Sequence, residues 1–236
     1  MDNNFNNIST IKPNIPKALM LARRQLSELV CDAVNLENIN FTLPEIQTLL
    51  DGVSLGGRKL SDQQVALNQA EGWKFIFTSV ESGTFNLSQK FVCACHAIAA
   101  FQEALEWGRF RSGLVTIAGT DYCPPEAGKL ENLWKNLELN FDLKNLNKNN
   151  IYDQAIGIFL EMARTQFFYD VNKRMGRFLM NGFLLSQGYP VINLPAKRQL
   201  EFNQKMLDFY ESNNKTPMID FMKSCLDPRI IKIMSE

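Results

Sequence analysis

The sequence predicts a mainly α-helical domain built around one core, with a single small β element near its middle. Three observations lead there. Apolar residues recur at helical spacing through most of the chain; β-branched residues crowd between glycines only once, in RFRSGLVTIA (109–118); and 236 residues with 45% apolar content suffice for one sizeable core. No repeat or low-complexity linker interrupts the pattern.

Taken in order, KALMLARRQLSELVCDAV (17–34) carries Leu19, Ala22, Leu26, Leu29 and Val30 on one face, which predicts one amphipathic helix stopping near Asn35. A short helix is expected over Leu43–Leu50, entered through Thr42 with Pro44 in its first turn and left through Asp51-Gly52. DGVSLGGRKLS reads as a loop. Two longer helices are expected over Gln63–Thr78 and Leu87–Trp107, the second with a stripe of Phe91, Cys95, Ile98, Phe101 and Leu105. Residues 109–118 predict a short strand or hairpin, closed by Pro124-Pro125. AGKLENLWKNLELNF and NIYDQAIGIFLEMART return to helical spacing. A further helix begins after Asp170-Val171 and runs to Gly188, a favourable stop with Tyr189-Pro190 just past it. AKRQLEFNQKMLDFYES and PMIDFMKSCL are helical by the same pattern.

Twenty-five basic and twenty-five acidic residues cancel, so no global positive field exists for phosphate-backbone binding, and nucleic acid is not an expected partner. The Asn-rich start, MDNNFNNISTIKPNIP, fits neither a secretory signal nor a transit peptide. No run approaches the ~20 apolar residues of a membrane span. A soluble, cytoplasmic protein is expected, with a homo-oligomer left open. Five scattered cysteines read as reduced core thiols. The single histidine, His96, excludes any site built on two imidazoles and is expected to be packed and hydrogen-bonded.

TQFFYDVNKRMGR (165–177) is where the chain concentrates charge. Asn172 stands where a loop turns into a helix, a favoured capping position, and the next residues present free backbone N–H groups at the positive end of the helix dipole. Lys173 and Arg174 add charge there, and Arg177 lies one turn on from Arg174. Backbone donors with two arginines suit a polyphosphate. Asp170, just upstream, suits Mg²⁺ held through one carboxylate oxygen.

The same residues resemble the signature of the Fic (filamentation induced by cAMP) family: His, Pro, Phe, any residue, Asp or Glu, Gly, Asn, Gly or Lys, Arg, two free positions, Arg. Phe168, Asp170, Asn172, Lys173, Arg174 and Arg177 match it. GRFRSGLVTIAGTDYCPPEAGKLENLW resembles the family's strand region and following helix entry, CHAIAAFQEAL its second core helix, and MNGFLLSQGYPVINLP the helix and return strand after the motif. The likeness covers roughly Thr42 to Phe221. It implies an N-terminal region (1–41) with an inhibitory helix, a Fic-like core (42–226) with a β-hairpin flap, and a C-terminal tail (227–236).

The resemblance further implies transfer of AMP from ATP to a hydroxyl of a target protein. Asp170 would ligate Mg²⁺, and Asn172 with the backbone from Lys173 through Met175 and Gly176 would cradle phosphate. Arg174 would bind phosphate oxygens, and Arg177 would hold the γ-phosphate. Leu114, Val115, Thr116, Ile117 and Ala118 would form the flap on which a target strand docks by main-chain pairing.

Two departures matter. The family's catalytic histidine falls on Gln166, whose amide orients a hydroxyl but accepts no proton; losing a general base removes about 10²–10⁴ in rate. Phe167 and Val171 replace the usual Pro and Gly, and a β-branched residue resists the φ > 0 that glycine allows. Lys173 is a variation of the related Doc toxins, which transfer the γ-phosphate; Arg177, usually absent from them, favours AMP transfer. A nucleotide-binding interaction module without chemistry and a Doc-like phosphotransferase are the alternatives. Finally, Ala33 to Asn38 matches the family's inhibitory pattern at Glu37 and Asn38 but not at its first position. The expectation is that Glu37 pairs with Arg177 and that its carboxyl pKa is lowered.

Overall fold

A computed structural model of the protein describes residues 8–141 and 150–236. Parts of the expected N-terminal region (1–7) and core (142–149) lie outside the described residues. Among those described, eleven α-helices follow one another: α1 Ile15–Arg24, α2 Leu26–Asn35, α3 Leu43–Leu50, α4 Leu60–Glu81, α5 Gln89–Ala99, α6 Leu130–Asn140, α7 Ile151–Thr165, α8 Asn172–Ser186, α9 Gln199–Ser212, α10 Thr216–Lys223 and α11 Pro228–Ser235.

The antiparallel pair α7 and α8 forms the centre, and it is the most extensive helix pairing in the molecule. Both are buried over most of their length. Gly176 permits their close approach: a Cβ there would lie 2.9 Å from the Phe159 ring and 3.1 Å from the Phe159 carbonyl oxygen. Helices α4 and α5 pack on one side of this pair, α2 and α3 pack against α4, and α9 and α10 close the other side. Helix α3 forms where expected, because Thr42 and Glu45 complete a reciprocal capping box and Pro44 lies in the first turn.

Four sequence expectations need correction. The helix expected over 17–34 is two helices, broken at Gln25 (φ −91°, ψ 3°). Both halves pack on α4, and the break lets α1 also reach α8 and α11 while α2 reaches α3. The helix expected to reach Trp107 ends at Ala99, and Gln102 turns left-handed (φ 59°). Tertiary bonds win over helical continuation here: Asn68 of α4 donates to the Phe101 carbonyl at 2.7 Å, and Gly108 N donates to His96 Nδ1 at 3.1 Å. Phe101 and Leu105, expected in the buried stripe, are exposed.

The third correction concerns β structure. Neither the hairpin expected at 109–118 nor a return strand before Pro195 forms among the described residues. Exposure still alternates from Ser112 to Ala118, as in a strand, but no second strand lies alongside to complete a ladder. Fourth, the C-terminal tail is largely helical. Asp227 caps α11, and the N-terminal segment clasps it through Lys12 N to the Met234 carbonyl (2.9 Å) and Lys17 Nζ to the Ile233 carbonyl (2.6 Å).

Candidate nucleotide site

The turn between α7 and α8 is made from residues that each settle a local problem. Gln166 caps α7 in the left-handed conformation (φ 53°), and its amide is held at both ends: Nε2 donates to the Ala163 carbonyl (2.6 Å) while Oε1 accepts from Asn172 Nδ2 (2.9 Å). Asn172 does not cap α8, as the sequence suggested, but is its first residue. Its side chain ties the loop shut, Oδ1 accepting from Phe168 N (2.9 Å) and Nδ2 donating to the Phe168 carbonyl (2.8 Å). The cap is Val171, at φ 65° and ψ 10°. A buried, β-branched residue thus holds the backbone conformation that glycine would hold without strain, at a cost of about 1–2 kcal/mol. The loop keeps the turn rather than finding another path. Asp170 braces it, with one carboxylate oxygen accepting from Val171 N at 2.6 Å.

Aromatic packing anchors the turn. Phe168 is fully buried and stacks on His96 with ring centroids 3.7 Å apart, and Phe167 packs against Trp134 and Phe110. His96 is the packed, hydrogen-bonded histidine expected. Its Nδ1 accepts from Gly108 N, so Nε2–H donates to the Asp170 carbonyl at 3.3 Å. Burial pushes its pKa down from 6.5 to about 4. The imidazole is therefore neutral when folded, and between these two values only the unfolded chain takes up the proton. Stability should fall as pH drops through this window, by at most about 3 kcal/mol from this group. Urea unfolding at pH 7 and at pH 4.5 checks it: the difference should shrink in His96→Gln.

Around the turn lies a cleft of about 450 Å³, lined by Glu37, Thr116, Ile117, Ala118, Gln166, Asp170 and Lys173, with Asn203 and Tyr210 of α9 on the far wall. The backbone N–H groups of Asn172, Lys173 and Arg174 lead α8 with no acceptor inside the helix. The structure therefore brings together Glu37, most of the flap segment, Gln166, Asp170 and Lys173. Leu114 stands outside the cleft, 79% exposed. Met175 and Gly176 do not join the anion-facing turn: Met175 N is already bonded to the Val171 carbonyl, and Gly176 faces Phe159.

Glu37 meets Arg177 as expected, Oε1 to Nη2 at 3.4 Å. Burial raises the Glu37 carboxyl pKa, but Lys173, Arg177 and Arg174 outweigh it and hold the group below its ordinary value. The pair is consequently lost at a lower pH than the one at which an unpaired glutamate would lose its charge. Burial pushes the Arg177 guanidinium down to about 10, still well above neutrality. Gln199 secures the segment that carries Glu37, its Nε2 donating to the carbonyls of Asn35 (3.3 Å) and Leu36 (2.9 Å) and to Asn38 Oδ1 (3.1 Å).

Two residues escaped the sequence reading. Glu103 grips Arg174 with both oxygens, at 3.0 and 2.6 Å. Arg111 is buried and donates to the carbonyls of Gln166 (2.6 Å), Gly113 (2.6 Å), Pro125 and Thr165 (3.5 Å), tying both ends of segment 113–125 to the turn. No local spacing signals either one, because their partners lie far along the chain.

Residues 86–184, which hold the flap, α6, α7 and most of α8, match a family model described as the Fic/DOC family. The match covers less than half of the chain. The Fic architecture extends beyond the matched segment: a Fic domain containing signaling protein from Bacteroides thetaiotaomicron superposes with a TM-score of 0.79 at 18% identity, covering 98% of this chain and 93% of that one. Fic-1 (residues 134–508) from C. elegans gives 0.76 at 15% identity, over 90% of this chain and 62% of that one. In sequence, the protein adenylyltransferase Fic of Drosophila mojavensis is 22% identical over 197 residues, which is 83% of this chain but 38% of that protein. The chain thus spans about two fifths of the length of the curated Fic relatives it matches. The mainly helical Fic fold is as expected, without the hairpin. Among the described residues, no helix is long and apolar enough to cross a membrane.

Proposed function

We propose that this Fic domain binds MgATP in the cleft and is built for transfer of AMP to a hydroxyl of a target protein, held off by Glu37 and slowed by Gln166. The observation that carries the proposal is the placement of Glu37, which lines the cleft with Asp170 and Lys173, on the buried guanidinium of Arg177 behind it. An anion-binding helix terminus faced by an acid implies a competing anion.

In this reading the α8 amides and Lys173 take the phosphate chain, and Arg177 takes its end once Glu37 leaves. Asp170 fits Mg²⁺, since its side chain is exposed and only one of its oxygens is committed to Val171 N. Among the described residues no cluster of three acidic, cysteine or histidine side chains forms a ready metal cage, so the substrate's phosphates would complete the coordination. The ion would neutralise charge on the phosphates. Residues 114–118, which show no backbone hydrogen bonds to other segments, would align a target strand. Gln166, pinned between Ala163 and Asn172, orients the attacking hydroxyl at most.

Calorimetry of wild type and Glu37→Gly with MgATP tests the proposal. Glu37→Gly should bind more tightly, since the paired arginine no longer has to be freed. ATP labelled separately at the α- and γ-phosphates then distinguishes AMP transfer from Doc-like phosphate transfer. Absence of heat with both proteins would sink the reading. Gln166, whose amide is held by Ala163 and Asn172 and accepts no proton, favours one further possibility, a nucleotide-responsive interaction module without chemistry. MgATP binding with no label transferred would support it.

A further inference from the structure

We propose that Glu103 is a positioning residue for the nucleotide site: it fixes Arg174 beneath the first turn of α8, where the guanidinium acts as a buried charge under the anion cradle rather than as a phosphate ligand. The proposal rests on the nucleotide reading above.

The two motif arginines stand in different situations. Arg177 has a single carboxylate contact, at 3.4 Å, with side-chain exposures of 10% for the arginine and 27% for Glu37. Arg174 has a two-pronged one, at 3.0 and 2.6 Å, with side-chain exposures of 6% for the arginine and 14% for Glu103. A phosphate could take the first arginine by displacing one long bond to Glu37, which lines the cleft in front of it. To take the second it would have to strip a bidentate, nearly dry pair, which leaves a carboxylate buried without its cation.

Glu103 is itself held from behind. Asn68 Nδ2 donates to Glu103 Oε1 at 3.3 Å and to the Phe101 carbonyl at 2.7 Å, and Gln64 fixes the Asn68 amide at 2.8 Å. This row of polar side chains runs from α4 to the underside of α8, away from the cleft wall, to which Arg174 does not contribute. It also explains why α5 stops at Ala99, since a continued helix would not return Glu103 to this place.

A cation at a helix N-terminus opposes the helix dipole, and burial opposes its charge. Burial lowers the Arg174 pKa, but Glu103, followed by Glu37 and Asp170, outweighs it and keeps the guanidinium raised above its ordinary value. Without the carboxylate, the guanidinium has no reason to remain below the turn and is drawn toward Glu37 and the cleft. Glu103 therefore sets the division of labour: Arg174 supplies a fixed field, and Lys173 and Arg177 are the cations that change partners.

The test uses Glu37→Gly as parent and titrates it with MgATP beside Glu37→Gly/Glu103→Gln and Glu37→Gly/Glu103→Asp. By analogy with outer partners of metal ligands, Glu103→Gln should weaken binding about 10- to 100-fold, and Glu103→Asp should recover most of the loss. In the parent, side-chain nitrogen resonances of Arg177 should move on saturation while those of Arg174 stay. Unchanged affinity in Glu103→Gln, or Arg174 resonances that move with those of Arg177, would overturn the proposal. If Glu103→Gln does not fold, the resonance measurement on the parent decides alone. A parent that binds no MgATP overturns the nucleotide reading itself, and this proposal with it.

Discussion

Gln166→His, introduced together with Glu37→Gly, should raise transfer of α-label from ATP to protein by about 10²–10⁴-fold over Glu37→Gly alone. The backbone is already suited to the change. Gln166 sits at φ 53°, a region in which histidine is among the better-tolerated residues with a side chain. Asn172 Nδ2, now 2.9 Å from the glutamine oxygen, is placed to donate to one ring nitrogen and leave the other free to accept a proton. A glutamine amide has no comparable acceptor near neutral pH, so the gain should appear in turnover and not in affinity for MgATP. A doubly substituted protein that binds MgATP as well as its parent but transfers nothing would end the enzyme reading and leave the interaction module.

Arg111→Met should cost about 3 kcal/mol or more of folding stability. Four carbonyl oxygens, those of Gly113, Pro125, Thr165 and Gln166, receive bonds from this one guanidinium. Each bond to a charged group is worth about 1.5–3 kcal/mol, and methionine keeps the apolar stem while removing every donor. Arg111→Lys should recover only part of the loss, because one ammonium cannot span carbonyls from three segments. The denaturant midpoint reports the stability, and the rate of proteolytic cleavage between Ser112 and Pro124 reports the flap. A midpoint shift within error, or full recovery by lysine, would show that the fan of bonds does not hold the flap down.

Much of this molecule could be read along the chain, for identifiable reasons. Helix α3 carries its own punctuation in Thr42, Pro44 and Glu45, and α7 and α8 are long, periodic and bounded. The charged turn could be read because a helix start with consecutive cations is locally unfavourable and so invites a ligand. Glu37 could be paired with Arg177 through the family pattern alone, across 140 residues. What escaped depends on three dimensions. The break at Gln25 has no proline or glycine to announce it and follows from two helices packing on different neighbours. The premature end of α5 is made by Asn68, on another helix. Residues 114–118 alternate as a strand does, but a ladder also needs a partner, and composition cannot say whether one is present. Val171 was the reverse case: the strain foreseen at that position is real, and the turn forms in spite of it.

Gln199 holds Asn35, Leu36 and Asn38 on both sides of Glu37, so the backbone under that carboxylate is pinned while its side chain is not. Release of Arg177 then needs rotation about the glutamate's own bonds and no unravelling of the chain. A side-chain rotation is faster than local unfolding, which takes microseconds or longer. In the proposed reading the restraint would therefore be quick to lift, and an arriving nucleotide would seldom have to wait for it.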